Sequence, residues 1–307
     1  MSVDVLVAGE YYCDLIFSGL DAPPTLGGEV FARGLTVRPG GCYNMALGLV
    51  RLGVRTAWAC DFGTDVFSHL VLDAAKADGI DPGGFRYVGH SLQQVSAAFA
   101  GHGERGFITY REGDLCPPDT RLLAQLAPQW LLQTFRLEPD WLAFMWAAKD
   151  AGTKIFGDCN GEGATLDTPG VREFIGLCDV FSPNEAEATH LTGAATADDA
   201  LVQLAELAPT IIVKRGAQGA IGVANGHRHD QPAPAVKLID TVGAGDAFAA
   251  GFLSAAVRGA PLDEQLLSAV ACGSLSTTGA GNSANPSAGQ LRAFMTRMHP
   301  TPSHASA

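Results

Sequence analysis

Asp240-Thr-Val-Gly-Ala-Gly-Asp246 places two carboxylates and two glycines within seven residues. Before it, Val236–Ile239 reads as a strand, and after it the small-residue segment Ala247–Val257 reads as a helix starting at or just before Asp246. Gly243 and Gly245 permit backbone geometries closed to other residues, so the amides of Gly243, Ala244 and Gly245 can converge on an anion with a helix dipole behind them. A carboxylate at that helix start is expected to stay ionised at neutral pH, orient an alcohol and take its proton late. An anion hole beside such a base is what phosphoryl transfer to a hydroxyl requires. The same letters also make a tight turn and a helix start with no chemistry attached.

These residues need a scaffold that brings loop ends together. Short apolar runs, Val3–Ala8, Thr56–Cys60, Lys154–Phe156, Asp179–Phe181 and Thr210–Lys214, alternate with amphipathic segments, which predicts a parallel α/β sheet. Gly53, Gly79, Gly152 and Gly259 mark helix ends. Two stretches depart from the alternation, about residues 11–37 and 85–112, where Gln94–Ala100 and Phe107–Arg111 read as strands of a small β appendage. The reading is one domain over residues 1–299 and a disordered tail over 300–307.

With this frame in place, Asp240-Thr-Val-Gly-Ala-Gly-Asp-Ala-Phe248 closely resembles the D-T-x-G-A-G-D-x-F motif of PfkB-family carbohydrate kinases. The resemblance implies a ribokinase-like, Rossmann-type three-layer α/β sandwich whose β appendage is a lid over the acceptor. It implies Asp246 as catalytic base, with Gly243, Ala244 and Gly245 as the anion hole. Pro39-Gly40-Gly41-Cys42-Tyr43-Asn44-Met-Ala46 is similar to the family's G-G-x-x-N-x-A, and Asp14 to its early aspartate, so Asp14, Gly40, Gly41 and Asn44 are implied sugar contacts. Asn184-Glu-Ala-Glu187 resembles N-x-x-E, implying a role for both residues in holding Mg²⁺ through water; the alternative is a helix capping box. Ile211–Gly219 resembles the nucleotide strand and turn, which assigns Lys214, Gly216 and Gly219 to ATP, together with Thr241 and Asn282. For Lys214 the alternative is a solvated strand end. Around Ser276–Asn282 some members of the family also coordinate a monovalent cation such as K⁺. Many pair as homodimers through lid strands.

Composition narrows the classes. The formal net charge of -12 opposes nucleic acid and anionic membranes, no apolar stretch reaches membrane-helix length, and the start of the chain lacks a signal peptide's pattern, so a cytoplasmic protein is expected. Seven scattered cysteines fit reduced thiols rather than a disulfide frame or zinc site. Gly101-His-Gly-Glu-Arg-Gly106 has dinucleotide-fingerprint spacing, yet a strand follows it where that fingerprint needs a helix, so a hairpin turn is the better reading and an oxidoreductase the remote one. A Walker-type P-loop is absent from the sequence. Neutral sugars are the default acceptors. Tyr110-Arg111 resembles a carboxylate-binding pattern of 2-keto-3-deoxygluconate kinases, which puts Arg111 among the candidate substrate contacts and an acidic sugar second. A nucleoside is the third acceptor class, and a non-catalytic small-molecule binder the remaining alternative.

Overall fold

Alternating strands and helices assort into two sheets in the computed structural model, which describes residues 2–101, 104–160, 163–279 and 281–298. In chain order the strands are β1 (Val5–Ala8), β2 (Tyr11–Ser18), β3 (Gly34–Gly41), β4 (Thr56–Phe62), β5 (Phe85–Tyr87), β6 (Gln94–Gly101), β7 (Glu104–Arg111), β8 (Trp130–Thr134), β9 (Lys154–Asp158), β10 (Val180–Ser182), β11 (Thr210–Lys214), β12 (Ala220–Ala224) and β13 (His227–Gln231). Nine form one sheet in the order β13-β12-β11-β10-β9-β8-β1-β4-β5, and the other four form a small sheet in the order β3-β2-β6-β7. From β11 to β5 the large sheet is parallel; β12 and β13 add an antiparallel edge.

β1 shows why the body has three layers. Its side chains are all buried and part alternately: Val5 and Val7 join Trp58, Leu132 and Phe252 in one core, while Leu6 and Ala8 join Leu131, Phe144 and Ile155 in the other. A strand with apolar residues on both faces is stable only between two helical layers. β1 lies between β4 and β8, so the chain departs from it in both directions. Such a reversal of strand order opens a crevice beyond the carboxyl ends of the central strands.

The small sheet is rooted at this crevice. Tyr11 at the foot of β2 is fully buried, stacks on Phe62 at 5.6 Å, shares a hydrogen bond with Ser68 Oγ at 2.7 Å and donates one to the Leu92 carbonyl at 2.5 Å. On the opposite flank, the helix Ala244–Ala256 packs closely on the helix Leu262–Ser276. A Cβ at Gly251 would come within 2.6 Å of the Ser268 carbonyl oxygen and 2.7 Å of Cys272 Cβ.

The sequence expectations hold for the parallel sheet, the helix ends and the β6–β7 hairpin, whose register pairs Gly101 with Glu104; residues 102 and 103 of its turn lie outside the described residues, as does the tail 300–307. Three details differ. Val236–Ile239 is not a strand: Pro232 and Pro234 interrupt the donors before it, and the Ile239 amide donates to the Thr277 carbonyl at 2.8 Å instead of to a ladder. The second appendage stretch starts too early, because β5 pairs with β4 in the large sheet; β3, in turn, runs on to Gly41. Finally, β8 went unread because the buried Gln133 and Thr134 break its apolar run. Among the described residues no helix is long and apolar enough to cross a membrane, and all seven cysteines are free, with Cys116 alone exposed.

The Gly251 contact gives a test of this packing. Gly251→Ala should destabilise the fold by about 1–3 kcal/mol, because the new methyl meets a backbone carbonyl that cannot rotate away. Urea denaturation of the purified variant measures it as a lowered midpoint at unchanged slope.

Candidate active site

Asp240 builds the turn from both sides. Its Oδ1 accepts the Val242 N–H and its Oδ2 the Gly281 N–H, each at 2.8 Å, while its own N–H donates to Thr277 O at 3.1 Å. One carboxylate thereby ties the approach to the turn to the loop after the helix Leu262–Ser276. Gly243 caps the next helix with φ 77°, a left-handed conformation that glycine adopts without a Cβ penalty. The helix starts at Ala244, earlier than the sequence suggests, so Gly245 and Asp246 lie in its first turn. First-turn amides have no carbonyl four residues back, and the dipole makes that end positive. Two expectations change. Gly245 does not have positive φ, and the Ala244 N–H is engaged by the Thr241 carbonyl at 3.2 Å.

Asp246 is the point where the candidate residues meet. Burial pushes its carboxyl up to about 7; the Asp158 carboxylate adds to the rise and Asp14 adds less, against a hydrogen bond from the Asn44 side chain and the charge of Lys214. The expectation of a fully ionised carboxylate at neutral pH is therefore corrected: desolvation and like charge outweigh the helix dipole. Asn44, 8% exposed, is held by the helix Cys42–Arg51, so two helix starts face each other across this group.

Lys214, at the end of β11, donates to Asp158 Oδ1 at the end of β9 over 2.7 Å, and both side chains are largely buried. Burial alone would discharge the ammonium, but Asp158 and then Glu187 more than offset it and hold its pKa above the usual lysine value. Lys214 Nζ also stands 3.7 Å from where a Cβ on Gly245 would lie, which puts a cation beside the first turn of the helix. Asp158 escaped the sequence reading. It follows the strand read at Lys154–Phe156, and a carboxylate at the carboxyl end of a parallel strand is the signal that would have found it.

Asn184 and Glu187 form the capping box that the sequence left open: Asn184 Oδ1 accepts the Glu187 N–H at 2.9 Å and Glu187 Oε2 the Asn184 N–H at 2.7 Å. Burial raises the Glu187 carboxyl, with the Asn184 amide and Lys214 pulling against it and Asp158 adding to it. Among the described residues no group of three or more His, Cys, Asp or Glu side chains converges as a metal cage. Glu187 near Asp158 offers hard oxygen donors that fit a cation keeping most of its water, as magnesium does.

On the small sheet, Asp14 is raised to about 6 by burial, with Arg38 pulling it down. Gly40 lies against it so closely that a Cβ there would meet Asp14 Oδ2 at 2.3 Å. Gly41, with φ 63°, caps the helix carrying Asn44, which links the Asp14 carboxylate to that asparagine in one stroke. Arg111 is exposed. It pairs with Gln94 on β6, and its neighbour in register Thr109 pairs with Ser96, which is aligned with Asp14, so Arg111 and Asp14 share a face of the small sheet. At its foot a buried ion pair that the sequence reading did not single out, Glu10 with Arg136, faces Tyr12.

The remaining candidates form a looser group. Gly216 and Gly219 shape the β11–β12 turn; a Cβ at Gly219 would meet the Gln231 carbonyl oxygen at 2.0 Å, so backbone packing accounts for that glycine. Thr241 is exposed at the motif turn. Asn282 belongs to the short turn Gly281–Ala284, and its side chain lies outside the described residues.

Comparison with known proteins bears on the same arrangement. A model of the pfkB family carbohydrate kinases matches residues 24–288. A relative in Arabidopsis thaliana, "Probable fructokinase-5", is 29% identical over 290 residues, covering 85% of this chain and 90% of its own. The Klebsiella pneumoniae fructokinase is 28% identical over 266 residues, covering 79% and 87%. Among solved structures, Arabidopsis thaliana ribokinase complexed with ribose and ATP aligns with a TM-score of 0.83 at 24% identity over 96% of this chain and 99% of its own. An E. coli protein assigned as ribokinase II, in complex with ATP and Mg²⁺, aligns with a TM-score of 0.81 at 23% identity over 97% and 100%. The fold is ribokinase-like, and a chain matched over this length, with the glycine turn, helix start and carboxylate in one place, belongs to the pfkB family of carbohydrate kinases, phosphotransferases with an alcohol group as acceptor.

Proposed function

We propose that this chain transfers the γ-phosphate of ATP to a hydroxyl of a neutral sugar. The observation that carries the reading is the meeting of Asn44, Lys214 and Asp158 on Asp246 at the amino end of a helix. Asp246 takes the acceptor hydroxyl's proton, and the amides of Gly243 and Gly245 with the helix dipole stabilise charge on the moving phosphate, the Ala244 N–H being engaged by Thr241. Lys214 neutralises phosphate oxygens beside Gly245. Asp14, Gly40, Gly41 and Asn44 hold the sugar, and the small sheet closes over it to exclude water that would otherwise accept the phosphate. Thr241, Gly216, Gly219 and Asn282 contact the nucleotide. The ATP and Mg²⁺ complexes among the structural neighbours support both cofactors for this chain. Bound magnesium supplies positive charge to the phosphate oxygens, and Asn184 and Glu187 would hold it through water. A monovalent cation at the turn near Gly281, and a homodimer through the far face of the small sheet, where Leu35, Val37, Ile108 and Tyr110 are exposed, complete the reading.

A carboxyl raised to about 7 is protonated below that pH and is then no base. Against D-fructose and Mg-ATP, kcat/KM should therefore fall about tenfold per pH unit below that value and level off above it, measured by coupled ADP release. Asp246→Asn should lower kcat by about 10²–10⁴ with ATP affinity by calorimetry unchanged; near-normal turnover removes Asp246 from the role of base.

A second reading, an acidic-sugar acceptor, draws on Arg111. It shares the Asp14 face, and its charge pulls down the Tyr12 hydroxyl, which burial and then Glu10 raise. Under this reading Arg111→Ala raises KM for 2-keto-3-deoxygluconate by about tenfold or more and leaves KM for fructose unchanged. Equal effects on both acceptors, or none, exclude it.

A further inference from the structure

Arg38 sits directly across the β2–β3 ladder from Asp14, so their side chains leave the same face of the small sheet. Its neighbours Leu35, Thr36 and Val37 are exposed, but Arg38 is half-buried. The reason lies on the far side of the crevice. A Cβ built on Gly281 would fall 1.4 Å from Arg38 Nη1 and 2.0 Å from its Cζ, so the guanidinium is seated against a bare glycine Cα. The amide of that glycine donates to Asp240 Oδ2, and Asp240 Oδ1 fixes the Val242 amide at the entry to the Gly243 turn. A path thus runs from the Asp14 carboxylate, through its attraction to the Arg38 charge, to Gly281, Asp240 and the Gly243 turn.

We propose that Arg38 is a positioning residue for phosphoryl transfer, holding Asp14 for the acceptor on one side and seating the small sheet on the loop that shapes the anion hole on the other. The proposal rests on the reading of Asp14 and Asp246 given above. Its physical content is coupling: the small sheet reaches the Gly281 loop where a long, planar cation fits a position without a side chain. Lysine has the charge but not the fork, so the two halves of the role separate. Among the described residues, the charged groups acting on Asp14 or facing it are Arg38 from β3, Asp246 from the helix Ala244–Ala256 and, two strands away on the same face, Arg111 from β7, with Cys13 beside it on β2. Asp14 is protonated below about 6 and then loses its capacity to accept from two sugar hydroxyls. Removing the guanidinium takes away the positive charge that lowers Asp14, so acceptor binding fails at a higher pH.

The test compares wild type, Arg38→Gln, Arg38→Lys, Gly281→Ala and Asp246→Asn with Mg-ATP and D-fructose or D-ribose, following kcat and acceptor KM across pH, and ADP formed per sugar phosphate. Arg38→Gln should raise acceptor KM about tenfold, shift the acid limb of KM to higher pH and release ADP without matching sugar phosphate. Arg38→Lys should restore the limb but not the coupling. Gly281→Ala, which fills the seat and leaves the charge, should lower kcat and loosen the coupling with the limb in place. An unmoved limb together with kcat and coupling within twofold of wild type in Arg38→Gln overturns the proposal, provided Asp246→Asn is inactive. Full turnover in Asp246→Asn instead overturns the underlying assignment of the base. Thermal melting of each variant separates these outcomes from misfolding.

Discussion

The structure depends on how one buried ammonium is shared. Lys214 bonds Asp158 at 2.7 Å and also acts on Glu187 and Asp246, so at this crevice carboxylates outnumber the cation. Taking such charges out of water is costly, and only pairing makes it tolerable. Burial raises the carboxyls of Asp246 and Glu187, and the one lysine they share offsets it only in part. A site of this sign accepts a nucleotide polyphosphate only if cations arrive with it, which is the physical case for a metal-bound nucleotide. Under the proposed reading a chain of net charge -12 is compatible with a polyanionic substrate, because attraction would come from a helix end, one lysine and the counter-ion rather than from the surface at large.

Pairing at a point requires backbone fixed to a few tenths of an ångström, and the fold supplies this by close approach. Gly251 lets the helix carrying Asp246 lie against the Ser268 carbonyl, and Gly48 similarly admits Ala250, whose Cβ would lie 2.9 Å from a side chain placed there. The helices of Asn44 and Asp246 therefore pack as a pair, and their first turns present the two side chains to each other. Asp240 then closes the turn from outside by spending both carboxylate oxygens on backbone amides. Its carboxylate is taken up by the backbone, whereas that of Asp246, six residues on, faces Asn44, Asp158 and Lys214. The two acids of the motif divide the work by where burial and hydrogen bonds place them.

Much of this was legible in the sequence because local constraints are strong there. Strands buried on both faces read as unbroken apolar runs, and glycines ending helices stand out for conformational reasons. The resemblance to the family's motifs singled out these residues, and the structure brings Asp14, Asn44, Lys214 and Asp246 into one electrostatic group. What escaped has a common cause in long-range packing. Asp158 is an ordinary aspartate until β9 and β11 place it beside Lys214, 56 residues away. Gln133 and Thr134 look like loop residues because their burial comes from the neighbouring strands. Val236–Ile239 has strand composition yet no partner edge to pair with, so apolar β-branched content misled where topology decided. The carboxyl of Asp246 was misjudged for the same reason, since dipole and local sequence argue for ionisation and only the tertiary neighbours argue against it.

The small sheet is where the chain is least constrained by a core. Its strands are half-exposed, and a sheet with weakly specified faces can slip; a shift of one residue would turn Asp14 and Arg38 away from the crevice. Two anchors prevent this. Tyr11 is locked by Ser68, Leu92 and Phe62 at the foot of β2, and Gly41, where a Cβ would lie 2.8 Å from the Glu10 carbonyl oxygen, ends β3 in a conformation that admits little else. Register fixed at the foot propagates outward by the two-residue period of the strands. Residues farther along β6 and β7, Arg111 among them, can then vary without disturbing the foot of the sheet, because the ladder transmits their position and not their chemistry.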